Sequence, residues 1–287
     1  MGFKLSHLYA PPDVNPLTLK ARSIPFFNPV DIYGRVFFFS WFGFMIAFWG
    51  WYTFTPLLTH TIKYDLHLSP AEVANSNIVS LCATLLNATG LYASRFFIGI
   101  LGGSFVPCQV WSTGFFDRNI VGTANALTGG FGNAGGGVTY FVMPAVYDAV
   151  LGRGYTPGQA WRLTFIVPLA MAITTGVALI VLCPDTPTGK WSEGHLHTQN
   201  LNTSNQKHAT STNPIGSFGS ELAINSILAS YYTKNFPLLS QTAAANWAAM
   251  FGFLNFVTRS LGGVVSDLLY GYCRARNGEK EGWELKG

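Results

Sequence analysis

Long uncharged runs, separated by short charged or proline-rich stretches, set the pattern of this chain. No Asp, Glu, Lys or Arg lies between Arg35 and Lys63, Arg95 and Asp117, Arg118 and Asp148, or Arg162 and Asp185. A bilayer span needs roughly 20 mainly apolar residues, so each run is long enough to cross. The pattern predicts spanning helices over residues 36–58, 92–114, 121–147, 163–183 and 247–270. Two further apolar segments, 73–86 and 218–232, are shorter, and the second contains Glu221. At about 1.5 Å per residue they cover on the order of 20 Å, against ~30 Å of hydrocarbon. Residues 184–213, rich in Ser, Thr, Asn, Gln and His, predict a flexible linker between two hydrophobic bodies. Both ends of the chain are polar tails.

Composition agrees with a membrane setting. Charged residues make up 10% of the chain, against about 25% in a soluble domain. Four buried helices in a soluble protein would need amphipathic partners to cover them, and the sequence offers almost none. With the amino end in the cytosol, eleven Lys and Arg residues fall inside and four (Lys63, Arg153, Arg162, Lys234) outside, while Arg95 and Arg259 fall within spans. That asymmetry follows the positive-inside rule. The net charge of +4 is then a matter of topology, and no nucleic-acid partner is expected. The proline-interrupted first 29 residues hold no apolar core of the kind a cleavable signal carries. Cys82, Cys108, Cys183 and Cys273 are far apart and match no zinc or redox spacing. His195 and His197 form an isolated pair in a polar loop. The spans contain no nucleophile–base set and no paired carboxylates. No metal or cofactor is expected, and the chain does not read as an enzyme.

Two polar residues stand out inside the apolar runs. Asn133 lies in a stretch where six of the nine residues from Gly129 to Gly137 are glycine. Arg259 is followed by Gly262 and Gly263. Residues three and four apart share a helix face, so Asn133 is bordered by Gly129, Gly130, Gly136 and Gly137, and Arg259 by Asn255, Gly262 and Gly263. An arginine at span depth costs about 2.5–3.5 kcal/mol by insertion scales and normally faces a cavity or a partner. Its planar fork suits a planar oxyanion. The candidate anion-binding set is Arg259, Asn133, Asn255, Gly136, Gly137 and Gly262. The alternatives are an Arg259–Glu221 ion pair or a membrane-edge arginine that snorkels and, for Asn133, a helix–helix hydrogen bond. Glu221 shares a face with Asn225, and desolvation would raise its pKa, making it the proton-coupling candidate beside a plain structural pairing. The glycine run lacks the Gly-Lys-Ser/Thr ending of a phosphate loop. Gly99 and Gly103, like Gly132 and Gly136, have the spacing that lets membrane helices approach closely.

Residues 129–148 (GGFGNAGGGVTYFVMPAVYD) resemble the first nitrate signature of the nitrate/nitrite porter family, within the major facilitator superfamily. Residues 95–111 (RFFIGILGGSFVPCQVW), 185–191 (DTPTGKW), 218–226 (FGSELAINS) and 254–267 (LNFVTRSLGGVVSD) resemble its eukaryotic branch, closest to fungal members. The resemblance implies a twelve-helix transporter of two six-helix halves that carries nitrate, and often nitrite, inward with protons. It matches Arg259 to the eighth-helix arginine and Asn133 to the signature asparagine that hold the anion. The partner arginine of the family's second helix has no counterpart, because the chain passes from Leu86 directly to Asn87-Ala88-Thr89-Gly90. The start of the seventh helix and everything after the eighth are also missing from the pattern.

The fold expected is therefore all-α, a polytopic membrane helix bundle with an incomplete major facilitator architecture. A cytosolic tail over 1–35 precedes an incomplete amino-terminal half over 36–183. A cytosolic linker over 184–217, a partial second half over 218–270 and a cytosolic tail over 271–287 follow. The function expected is proton-coupled uptake of nitrate, and of nitrite, across the plasma membrane by alternating access, impaired in this form. The alternative is a non-transporting membrane fragment that associates with a full-length porter.

Overall fold

The computed structural model describes residues 5–16, 18–69, 71–73, 98–187 and 214–277. Among them the secondary structure is helical, apart from isolated bridges that include Val14 to Ala21 and Ala21 to Phe116. Helix α1 (Ile32–Tyr52) starts where the Asp31 carboxylate accepts from the Tyr33 and Gly34 amides at 2.9 and 3.4 Å, an N-cap that satisfies two otherwise orphaned donors. Its path continues through Thr55–Leu57, a π-helical turn at Leu58–Ile62, and Lys63–Asp65. A 3-10 turn, Ile100–Ser104, leads into α2 (Phe105–Phe115). Then come α3 (Val121–Asn133), α4 (Gly135–Leu151), α5 (Pro157–Thr164), α6 (Ile166–Leu182), α7 (Pro214–Asn235) and α8 (Gln241–Asn277).

Three helical stretches among the described residues are long and apolar enough to cross a membrane: Ile32–Leu57, Pro157–Leu182 and Gln241–Leu269. Helices α3 and α4, 13 and 17 residues long, reach comparable length only end to end. Ala134 joins them without a break in the ladder, since its amide donates to Gly130 and its carbonyl accepts from Val138. Apolar patterning detects the middles of helices, whereas polar caps fix their ends. The Thr156 and Gln159 capping box opens α5, and the Ser240 hydroxyl accepts from the Ala243 amide at the start of α8. So α8 begins before residue 247 and runs past 270, and α7 begins at Pro214.

Helix α1 sits at the centre of the first body. Phe44, Phe48 and Tyr52 pack towards Phe105 and Cys108, and Ile46 and Trp49 pack with Met143 of α4. Helix α8 lies along α3 and α4, and α7 packs against α8 and Tyr140 of α4. The amino-terminal tail docks on the Asp117 end of the bundle. The Ala21 amide donates to Phe115, the Asp117 amide donates to Ala21, and the Lys20 amine donates to the Thr113 carbonyl at 2.9 Å. The stub beyond Val73, Arg95, Cys82, the His195 and His197 pair and linker residues 188–213 lie outside the described residues.

Candidate functional site

Glycine brings α8 onto the α3–α4 track. A Cβ on Gly252 would land on the backbone of Gly137, 2.6 Å from its Cα. One on Gly137 would stand 2.8 Å from the Ala249 carbonyl, and one on Gly130 would stand 2.8 Å from the Asn255 carbonyl. Each glycine costs about 1 kcal/mol of helix propensity relative to alanine. Three of them on one seam are sustained by the close backbone packing that only they permit. On the opposite side of α3, the Phe44 ring of α1 occupies the space a side chain at Gly132 would need.

That approach places Arg259 against Asn133. Hydrogen-bond complementarity turns the Asn133 Oδ1 towards the guanidinium, where it accepts from Nε and Nη2 at 2.9 Å each. The Arg259 Nε also lies 3.0 Å from the Asn255 Oδ1, and the Asn255 amide nitrogen donates to the Gly252 carbonyl at 3.1 Å. Asn133 is 1% exposed and Asn255 is 6% exposed, while Arg259 is half-buried. Two carboxamide oxygens thus hold the guanidinium in place. The described contacts of Arg259 are with amides, and the side chain of Glu221 lies outside the described residues, although its backbone belongs to α7.

The remaining candidates divide. Gly137 and Asn255 belong to the seam. Gly136 lies one turn beyond Asn133, and a Cβ there would meet the Tyr52 ring at 3.6 Å and the Asn225 Nδ2 at 3.7 Å. Gly262 was expected to border Arg259, but it is exposed and a Cβ on it would meet nothing within 4 Å. Its neighbour Gly263 faces α3 instead, where a Cβ would run into Ala126 and the Gly122 carbonyl. The i+3 and i+4 spacing could not choose between the two glycines; the direction in which α3 lies decides for the second.

Sequence reasoning missed contacts at two places on the same helix. Two turns beyond Arg259, the Asp267 carboxylate accepts from the amide and hydroxyl of Thr123 at 2.5 and 2.6 Å, closing the first turn of α3 from another helix. At the other end of α8, the Thr242 hydroxyl donates to Asp148 at 2.6 Å, and Gln241 bonds the Pro56 carbonyl and Thr61. Asp267 lies eight residues from Arg259, a helical repeat that marks the shared face. Thr242 carries no such signal. Near this latter end an open cleft of about 530 Å³ is lined by His60, Tyr64, Asp65, Tyr147 and Gly158 among others. It shares no lining residue with the Arg259 cluster. Asp65 there accepts from Trp161 Nε1 at 2.9 Å and pairs with Arg162 at 3.0 Å.

A helix bundle with stretches long and apolar enough to cross a membrane, and with an arginine held between buried amides on a glycine-paved seam, points to an integral membrane protein. The family model of the Major Facilitator Superfamily matches residues 76–275, and the chain belongs to that family. It is 30% identical to nitrate transporter 2.2 of Chlamydomonas reinhardtii, covering 87% of this chain and 58% of that protein. It is also 30% identical to high-affinity nitrate transporter 2.3 of Oryza sativa subsp. japonica, over 88% of this chain and 57% of that protein. Elsinochrome transporter 1 of Elsinoe fawcettii is 25% identical over 93% of this chain and 75% of its own length. The chain thus spans less than three fifths of the length of these two nitrate transporters. No solved structure matches significantly.

Proposed function

We propose that this chain binds nitrate at Arg259 and Asn133 as part of a nitrate transporter of the plasma membrane, with nitrite as a second substrate and protons as the coupled ion. The observation that carries the reading is the guanidinium pinned by the Asn133 and Asn255 oxygens on the glycine seam. A planar guanidinium fork suits a planar oxyanion through two parallel bonds. The names of the two 30%-identical relatives supply the anion's identity. Glu221, one turn before Asn225 on α7, is the proton-coupling candidate.

A second reading draws on length. The alignment to the algal relative runs over 300 positions, more than the 287 residues of this chain, so that relative carries internal residues that this chain lacks. A chain short of part of the bundle would bind the anion weakly and act beside a complete porter. Uptake of labelled nitrate into proteoliposomes under an imposed proton gradient separates the readings. Uptake by the wild-type chain that Arg259→Lys abolishes is the expected result for the transporter. Equal uptake by both proteins would remove Arg259 from the site, and uptake seen only when a full-length porter is co-reconstituted would favour the accessory role.

A further inference from the structure

Helix α8 grips the rest of the bundle by two kinds of contact. At mid-length it is held by backbone, since a Cβ on Gly252 would strike the Gly137 main chain. At its first turn it is held by side chains. The Thr242 hydroxyl donates to Asp148 of α4 at 2.6 Å, the Gln241 Nε2 donates to the Pro56 carbonyl at 3.0 Å, and the Thr61 hydroxyl donates to the Gln241 Oε1 at 3.3 Å. Water reaches this end: Asp148 is exposed, and Thr61 and Tyr147 both line the open cleft. Exposed side-chain bonds exchange for bonds to water at small net cost, whereas backbone packed on backbone has no such substitute. Between the two stations α8 turns Ala244, Ala245, Ala248 and Ala249 inward, each at most 1% exposed, and side chains so small interlock little. Arg259 lies about 25 Å along the helix from Thr242 and about 12 Å from Asp267, whose bonds to Thr123 close the other end.

We infer that the first turn of α8 is a gate, whose bonds to Asp148, Pro56 and Thr61 part to open the Arg259 seat to the Asp148 face while the Asp267 contact holds; this rests on the transporter reading. A transporter must present its seat to the two sides of the membrane in turn. A helix held by backbone in the middle and by exchangeable bonds at each end opens at one end without losing its grip. Both ends are closed in this structure. The bland purpose of a polar first turn, keeping the helix from fraying, is already met by Ser240, whose hydroxyl accepts from the Ala243 amide. Gln241 and Thr242 reach across to other elements instead.

The test is the rate at which a membrane-impermeant maleimide modifies a Ser260→Cys reporter, applied from one face at a time to the full chain in sealed vesicles. The four native cysteines are replaced by alanine. Ser260 is next to Arg259, and its Oγ is buried, 3.1 Å from where a Cβ on Gly130 would stand. Thr242→Val is expected to raise the rate about tenfold from the Asp148 face, the equivalent of one hydrogen bond to a charged group. The rate from the Asp267 face should stay unchanged. Fraying of the first turn alone does not expose a residue about 27 Å further along the helix. An equal rise from both faces, or no rise from either, makes these bonds ordinary packing contacts and overturns the inference. Should the valine variant fail to fold, Gln241→Leu, which removes the bonds to Pro56 and Thr61, is held to the same sided response. Saturating nitrate, which crowds position 260 if Arg259 holds it, separates the inference from its premise. Slowing by nitrate without the sided response keeps the seat and removes the gate. The sided response without slowing by nitrate keeps the gate and removes nitrate from the seat.

Discussion

Helix α6 and the seam between α4 and α8 are opposite solutions to life in a bilayer. The span that ends in α6 is the most apolar of the three, yet only 11% of its window is buried within the protein, against 50% for the span of α1. Ile180 is 85% exposed. The seam is built from glycine and asparagine, and there Asn133 and Asn255 are buried. In water, burial sorts residues by apolarity. In lipid that driving force between helices is absent, and association comes from close packing and polar contacts. The less apolar surface is therefore the interior.

Side-chain volume gives the largest expected effect on this comparison. Gly176 on α6 and Gly252 on α8 are both helical glycines in spanning stretches. A Cβ at Gly176 would meet nothing within 4 Å, whereas one at Gly252 would strike the Gly137 backbone. Backbone cannot step aside as a side chain can. Gly252→Leu is expected to destabilise by about 3 kcal/mol or more, the upper range for overpacking, and to part α8 from α4. Gly176→Leu should fall within about 0.5 kcal/mol of the wild type. Thermal unfolding in detergent measures both. Matching shifts for the two variants would mean that the glycines do not set the seam.

The same contrast shows what could be read from the sequence. Helix α6 was legible from hydropathy alone, because a lipid-facing helix declares itself by composition. The seam was legible only through glycine density around Asn133 and the isolated arginine, signals of shape and charge. What stayed hidden was direction. Helical spacing made Gly262 and Gly263 equal neighbours of Arg259, and the position of α3 then selected Gly263. Thr123 gave no hint of Asp267, since a cap borrowed from a distant helix leaves no local motif. The docked tail was hidden for the same reason. Its Ala21 bridges to Phe116 through backbone groups, which side-chain patterns do not report.

A middle-sized effect is expected where the seam ends in a charge. Asp267 gives α3 two bonds from α8, to the amide and hydroxyl of Thr123. Hydrogen bonds to a charged group are worth about 1.5–3 kcal/mol, and a carboxylate also favours a helix N-terminus. Asp267→Ala should destabilise by about that amount. Thr123→Val, which removes the hydroxyl bond and keeps the amide one, should lose roughly half. Chemical denaturation in mixed micelles orders the two. If the valine variant loses as much as the alanine variant, the amide contact adds nothing and α3 is not capped from α8.

The smallest effect tests whether the tail belongs with the seam or with solvent. Burial lowers the Lys20 amine below its ordinary 10.5, with Asp117 pulling it up and Arg118 pushing it further down. Between the lowered value and 10.5 the undocked tail holds a proton that the docked tail has shed. Stability rises with pH wherever the less structured state binds more protons, so docking should tighten as pH climbs through that interval and level off above 10.5. At lower pH both states are protonated, and docking carries the constant cost of a partly desolvated ammonium. Lys20→Met has nothing to titrate there, and its docking should lose this pH-dependent gain. A fluorophore at Thr18, whose anisotropy reports docking, follows both proteins across the range. If wild type and variant trace the same curve, the amine's burial against the Thr113 carbonyl does not govern the tail, and the tail belongs with the solvent-exposed parts of the molecule.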